Sequence, residues 1–269
     1  MVYTCCLIET MERTQAIVDI LKEAKSTFFD ASVDRFDSLD IKGLNQLVTD
    51  IDVATEKFLV SRFKDVLPTS SFIAEENTGV QTDAEYQWII DPLDGTTNFV
   101  HQIPVYSISV ALQRNGKTIE GYVYELNRDE LFRANAEGAW LNDTPIQVTE
   151  TTEIADTLLA TGFPYYDFEK VPEYLKVLEY CMRKTRGVRR LGSAAVDLAY
   201  VACGRFDGFF EVGLSPWDVA AGAYIVQQAG GKVIDFSGGD QFIFGGEIVA
   251  GNPAMAQHLQ EIIQHHFES

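Results

Sequence analysis

Residues 9–30 place Ile17, Ile20, Leu21 and Ala24 at helical spacing, the apolar stripe of an amphipathic opening helix. A polar stretch with Asp30, Asp34, Asp37 and Asp40 follows. It lacks the Gly and closing Glu of a calcium-binding EF-hand, so residues 30–43 read as a mobile acidic loop. Residues 49–66 return to helical periodicity and stop before Pro68. The period then shortens. Ser71–Ala74, Gln87–Ile90, Val105–Leu112, Ile119–Leu126 and Glu130–Arg133 are short β-type runs separated by turn residues such as Asn115-Gly116. Beyond residue 155 strands and helices alternate. Thr157–Thr161, Phe206–Val212, Lys232–Asp235 and Ile248–Ala250 read as strands; 168–183, 194–203, 216–229 and 254–267 read as helices. An antiparallel-rich first half (1–150) and an α/β second half (151–269) predict helices layered on sheets, α+β passing into α/β, in one unit with a soft boundary near 150.

Composition narrows the function. The 269 residues carry 21 Lys+Arg against 40 Asp+Glu, a formal charge of −19, with 46% apolar residues. That content supports a packed core, while the acidity argues against a nucleic-acid backbone or an anionic membrane as partner, since either wants a cationic face. No apolar run reaches the ~20 residues that span a bilayer. The N-terminus lacks the basic, apolar and small-residue order of a signal peptide. Cys5, Cys6, Cys181 and Cys203 form no CxxC pair; free thiols in a reducing cytoplasm are the expectation. The histidines make no zinc signature, and His265 and His266 sit in the last helical stretch.

Four segments carry chemistry. In Trp88-Ile-Ile-Asp91-Pro92-Leu93-Asp94-Gly95-Thr96-Thr97-Asn98-Phe99 an apolar strand ends in two carboxylates three residues apart. An Asp-Pro turn followed by an Asp-Gly turn would explain each dipeptide alone. The unbroken run of two carboxylates, a glycine and a hydroxyl at a strand end points instead to a ligand site. In Glu211-Val-Gly-Leu-Ser215-Pro216-Trp217-Asp218 a helix starts with Ser215 as N-cap, Pro216 at N1 and Asp218 at N3, a capping-box variant that by itself accounts for Asp218. Phe72-Ile73-Ala74-Glu75-Glu76 is a strand ending in adjacent carboxylates, and Leu191-Gly192-Ser193-Ala194-Ala195 opens an alanine-rich helix whose N–H groups suit an anion.

Taken in order, these segments resemble the inositol monophosphatase family, within the lithium-sensitive, magnesium-dependent phosphatases, over essentially the whole chain. The resemblance implies a layered αβαβα sandwich of the sugar-phosphatase type. It implies that Glu75, Asp91, Asp94, Asp218 and the Leu93 carbonyl hold two or three Mg2+ ions. An all-oxygen ligand set favours magnesium over zinc, and carboxylates ~4 Å apart repel by about 4 kcal/mol at an effective dielectric of 20. Leu47-Val48-Thr49 and Asp52 match the helix that supplies a supporting aspartate. Thr96 would orient the attacking water, Asp52 would hold the Thr96 hydroxyl, and the N–H groups of Gly95 and Thr96 would serve phosphate oxygens. Asp94, Gly192, Ser193, Ala194 and Glu211 would contact a cyclic polyol.

The reaction so implied is hydrolysis of inositol 1-phosphate or a similar polyol phosphate by a cytoplasmic homodimer. Fructose 1,6-bisphosphatase, histidinol phosphatase and 3'-phosphoadenosine 5'-phosphate phosphatase are the alternatives within the superfamily; Thr97-Asn98 in place of Lys-Glu counts against the last. Arg183, Lys184, Arg186, Arg189 and Arg190 form a basic cluster that would suit a bisphosphate or a solvated face. A non-catalytic divalent-ion-binding scaffold is the reading from outside enzymology. Lys42, in Lys42-Gly43-Leu44-Asn45, has no assigned role.

Overall fold

A computed structural model describes residues 2–30, 39–43, 46–164 and 168–267; side chains of 2–9, 39–43 and 46–48 are not among those described. The expectations for Cys5, Cys6, Asp34, Asp37, Leu44, Asn45 and the Lys42 side chain therefore fall outside the described residues.

Helix α1 (Val2–Ala24) buries Ile17, Ile20 and Leu21, and continues into a π turn at Lys25–Phe29. The end of the stretch read as an acidic loop is a strand: β1 (Leu39–Gly43) pairs antiparallel with β2 (Gln46–Thr49). Helix α2 (Asp50–Val66) begins at a capping box in which Thr49 and Asp52 satisfy each other's backbone N–H groups.

A seven-stranded sheet follows, its strands adjacent in chain order: β3 (Ser71–Ala74), β4 (Tyr86–Asp94), β5 (Ser107–Arg114), β6 (Lys117–Glu125), β7 (Glu130–Asn135), β8 (Gly138–Leu141) and β9 (Thr144–Pro145). The first pair is parallel and the rest antiparallel. A short helix, α3 (Thr96–Val100), leaves the end of β4. The second sheet runs β11 (Gly187–Arg189), β10 (Leu158–Thr161), β12 (Gly208–Val212), β14 (Glu247–Gly251), β13 (Lys232–Ile234). Helices α4 (Val171–Lys184), α5 (Ala194–Ala202), α6 (Pro216–Gln228) and α7 (Pro253–Phe267) complete the order. The pattern did not predict β8, β9, α3 or β11, all too short to establish a period.

Alternation along each strand sorts these elements into layers. Trp88 and Ile90 join Ile17, Leu21, Leu59 and Phe63 of α1 and α2, with Phe63 stacked on Trp88 at 4.4 Å. The intervening Ile89 turns to the other face, onto Leu198, Val219 and Ala223 of α5 and α6. In the second sheet Ala160, Phe209 and Ala250 face the same two helices, while Leu159, Phe210 and Val249 pack on Tyr174, Val177 and Leu259 of α4 and α7. The result is the expected αβαβα sandwich. Its middle layer is squeezed between two sheets, which explains why α5 and α6 are rich in Ala and Gly. A Cβ on Gly222 would stand 2.6 Å from Leu198 Cβ, and one on Gly121 2.8 Å from the Ala221 carbonyl. Such approach is open to glycine.

Candidate active site

Residues three apart on a regular strand point to opposite faces, so Asp91 and Asp94 could not share a site on an undistorted β4. The structure resolves this with a bulge. Asp91 pairs with Ser109 and Asp94 with Ser107, leaving one extra residue on β4, where Pro92 has no N–H to contribute. The strand thus runs through the Asp-Pro segment and does not stop at a tight turn there, a correction to the sequence expectation. Leu93 N donates to Asp91 Oδ1 at 2.9 Å and holds the bulge. Gly95, at φ 96°, then reverses the chain into α3, a conformation favouring glycine.

The bulge and the start of α6 bring Asp91, Asp94 and Asp218 together, with one oxygen of each within 4.8 Å of the others. Asp218 meets both readings of its motif: Oδ2 accepts from Ser215 N at 2.6 Å in a capping box, and the carboxyl belongs to the cluster. Glu75 follows the end of β3, lines the same cavity and stands against Asp91. Burial is the main cause of the raised pKa values here. It pushes Glu75 to about 8, with repulsion from Asp218 next, and Asp218 to about 7, with repulsion from Asp94. Asp91 is raised well above the carboxylate range by burial and by Glu75, Asp94 and Asp218. Asp94 reaches about 6, burial being opposed by hydrogen bonds from Ser193 and Ala195.

No ion pair reaches these four carboxyls among the described residues. Their donors are all oxygen, without Cys or His, the chemistry of a hard divalent cation such as Mg2+. The residues therefore fit the metal that the resemblance implies.

Around the cluster stand the other expected residues. Asp52 Oδ1 accepts from Thr96 Oγ1 at 3.0 Å, and its Oδ2 accepts from Thr49 N at 2.9 Å and Thr49 Oγ1 at 2.5 Å. Thr96 Oγ1 is equally 3.0 Å from the Leu93 carbonyl, so its single proton has two competing acceptors. The N-terminus of α5 serves an anion of the protein itself: Ser193 Oγ and Ala195 N donate to Asp94 Oδ2 at 2.5 and 2.8 Å. Asn98 ties the pieces together, donating to the carbonyls of Val105 and Leu191, each at 2.8 Å.

A cavity of about 180 Å³ opens beside the cluster, lined by Glu75, Asp94, Gly95, Thr96, Gly192, Ser193, Ala194, Glu211 and Asp218 among others. Asp52, Asp91 and Leu93 lie behind this wall. Of the basic cluster, Arg190 also lines the cavity, its guanidinium 5.6 Å from the Phe163 ring. Arg183 pairs with Glu179 and Arg186 with Asp156.

Two buried acids next to the site escaped the sequence reading. Glu56 accepts from Glu76 N and Thr78 N, both at 2.7 Å, and so fixes the segment carrying Glu75. Its spacing of four from Asp52 on one helix face was the available signal. Asp197, on α5, is 1% exposed and also lines the cavity; no motif marked it.

Residues 6–268 match the model of the inositol monophosphatase family. The Nus factor SuhB of Escherichia coli is 43% identical over 220 residues, covering 81% of this chain and 82% of that protein. Among solved structures, the extragenic suppressor protein suhB of Bartonella henselae has a TM-score of 0.88 at 35% identity, covering 93% and 98% of the two chains. The inositol monophosphatase of Anabaena has a TM-score of 0.81 at 38% identity, covering 94% and 96%. The chain belongs to the inositol monophosphatase family.

Proposed function

We propose that this chain is a Mg2+-dependent phosphomonoesterase that hydrolyses inositol 1-phosphate or a similar polyol phosphate. The observation behind this reading is the group of Glu75, Asp91, Asp94 and Asp218, Asp91 buried and the others half-buried at the cavity wall, which no protein cation balances among the described residues, beside a hydroxyl anchored on the buried Asp52 carboxyl. An empty cluster of this sign repels a phosphate ester, so the cation and the ester belong to one site. When bound, Mg2+ supplies Lewis acidity and the positive charge that phosphoryl transfer to water requires. Glu75, Asp91, Asp94, Asp218 and the Leu93 carbonyl hold it.

The chain's own residues orient the reaction. With its proton on Asp52 Oδ1, Thr96 Oγ1 presents lone pairs to a proton of the attacking water and aims the water's oxygen at phosphorus. Thr96 is an orienting group in this reading and forms no phosphoenzyme. The Gly95 and Thr96 N–H groups face phosphate oxygens. Glu211 and Asp94 accept hydrogen bonds from ring hydroxyls, and the Gly192–Ser193–Ala194 turn adds hydrogen bonds to the same ring. On the family pattern the enzyme is a lithium-sensitive homodimer, checked by LiCl titration and light scattering.

The test is a panel of phosphate esters with MgCl2 or EDTA, run on the wild type and on Asp91→Asn. Expected is Mg2+-dependent release of phosphate, fastest from inositol 1-phosphate, and a loss of several orders of magnitude in the variant with the fold intact. Faster turnover of fructose 1,6-bisphosphate would replace the substrate; unchanged hydrolysis in Asp91→Asn would overturn the metal assignment. The name of the Escherichia coli relative supports a second reading, a Nus-factor role. A chain that releases phosphate from no ester in the panel favours it.

A further inference from the structure

Asp197 does what a structural acid in this fold does not. Glu56, Asp207 and Asp235 are also buried, and each spends its carboxyl on backbone N–H groups: Glu76 and Thr78 for the first, Leu158 for the second, Gly239 and Gln241 for the third. Asp197 is as buried, yet its Oδ1 has no hydrogen-bond partner among the described residues. A buried carboxyl oxygen left without a donor destabilises a fold. Its setting makes it conspicuous, because the rest of α5 (Ala194–Ala202) is Ala, Val, Leu and Tyr. Packing alone would be served better by an apolar residue.

The place of the side chain gives the reason for it. Asp197 lies one turn into α5, its N–H on the Ser193 carbonyl at 3.0 Å, and its side chain lines the same cavity as Glu211. Burial first, and then the neighbouring Glu211, disfavour ionisation of Asp197, and Arg190 partly offsets the charge of both acids. Two carboxyls on one wall form a surface of acceptors. With Arg190 already near, that surface suits neutral donors, the hydroxyl groups of an alcohol, better than a second cation.

We propose that Asp197 is a specificity-determining residue, whose Oδ1 accepts a hydrogen bond from a hydroxyl of the leaving polyol beside the one read by Glu211. This rests on the phosphatase reading above and names what that site selects: an alcohol with neighbouring hydroxyls. A leaving group without hydroxyls leaves Asp197 unpartnered and gains nothing from it.

The experiment compares inositol 1-phosphate with 4-nitrophenyl phosphate, at saturating MgCl2, for wild type, Asp197→Asn and Asp197→Leu. The amide keeps one acceptor oxygen; leucine keeps the branched shape, with bulkier methyl groups, and removes both. The expected result is a fall in the ratio of the two kcat/KM values of about threefold for Asn and about tenfold for Leu, the range of a hydrogen bond between neutral groups. The change falls on KM for inositol 1-phosphate. Thermal midpoints stay level or rise, because the unpartnered carboxyl is gone. An unchanged ratio, with both substrates lost together or neither affected, overturns the assignment and leaves the phosphatase standing. A wild type that hydrolyses 4-nitrophenyl phosphate but not inositol 1-phosphate overturns the polyol preference. A wild type inert on both overturns the phosphatase reading and this inference with it.

Discussion

Gly162→Ala tests how the cavity wall proposed to face the polyol is assembled. Glu211 lies so close over Gly162 that an added Cβ would stand 1.8 Å from Oε1, 2.0 Å from Cδ and 2.2 Å from Oε2. Gly162 is absent from the positive-φ glycines, so its backbone admits alanine and the methyl–carboxyl clash is the whole perturbation. To reach ordinary contact the carboxyl must retreat by about 1.5 Å. The end of a glutamate does this by leaving its preferred rotamer, at a cost of about 1 kcal/mol. For a chain of this size that lowers the thermal midpoint by about 2–4 °C. The functional cost is larger, since a misplacement of about 1 Å in a positioning group takes roughly a hundredfold from the rate. The assay measures kcat/KM on inositol 1-phosphate and 4-nitrophenyl phosphate, with calorimetry alongside. Expected is a loss near a hundredfold on the first substrate, a much smaller one on the second, and a folded protein. Full turnover of inositol 1-phosphate by a folded Gly162→Ala variant refutes the placement of Glu211 against the substrate.

Two further outcomes follow from charge. Glu75, Asp94 and Asp218 titrate near 8, 6 and 7 in the folded chain, above their unfolded values. Stability from these groups is therefore complete below about pH 4 and is lost as pH rises through 6 to 8, at about 1.4 kcal/mol per pH unit for each extra proton held. Thermal midpoints in EDTA should fall across pH 5 to 8 relative to those in MgCl2, whose binding requires the deprotonated cluster; parallel curves would contradict this. On β7, Glu130 accepts from Arg205 at 2.5 and 2.6 Å while the guanidinium stacks over Tyr200 at 4.5 Å. This hydrogen bond holds the Glu130 carboxyl below its usual value. Glu130→Gln should cost about 1 kcal/mol at pH 7, and the gap to wild type should close as pH falls through the carboxylate range; a constant gap by denaturant titration sinks that account.

Periodicity located most of the layers because the strands around Trp88, Val110 and Val123 alternate between two different apolar environments. Phe72-Ile73-Ala74 and Ala194–Ala202 likewise took their expected forms. What stayed hidden depends on contacts distant in sequence. The bulge at Pro92 shows only once β4 is paired with β5, and no local pattern gives it. Part of the acidic stretch became β1 because β2 lies opposite it. Asp197 looks like a solvated helix residue until both flanking sheets are in place. Glu211 was identified by motif spacing, but its seat over Gly162 needed the pairing of β10 with β12.

The carboxyls of the site are also the fastenings of the fold. Asp52 closes the cap of α2, Asp94 takes the first N–H groups of α5, Asp218 closes the cap of α6, and Asp91 holds the bulge through Leu93 N. A variant without the proposed hydrolysis would still be stabilised by all four, since each loss costs about 1 kcal/mol of stability. Persistence of these aspartates in a relative is thus poor testimony that it remains an enzyme. Glu75 stands apart: no backbone N–H is bonded to its carboxyl among the described residues, so of the proposed metal ligands it is the one the fold needs least. A substitution at position 75 would therefore cost the proposed reaction before it cost the fold.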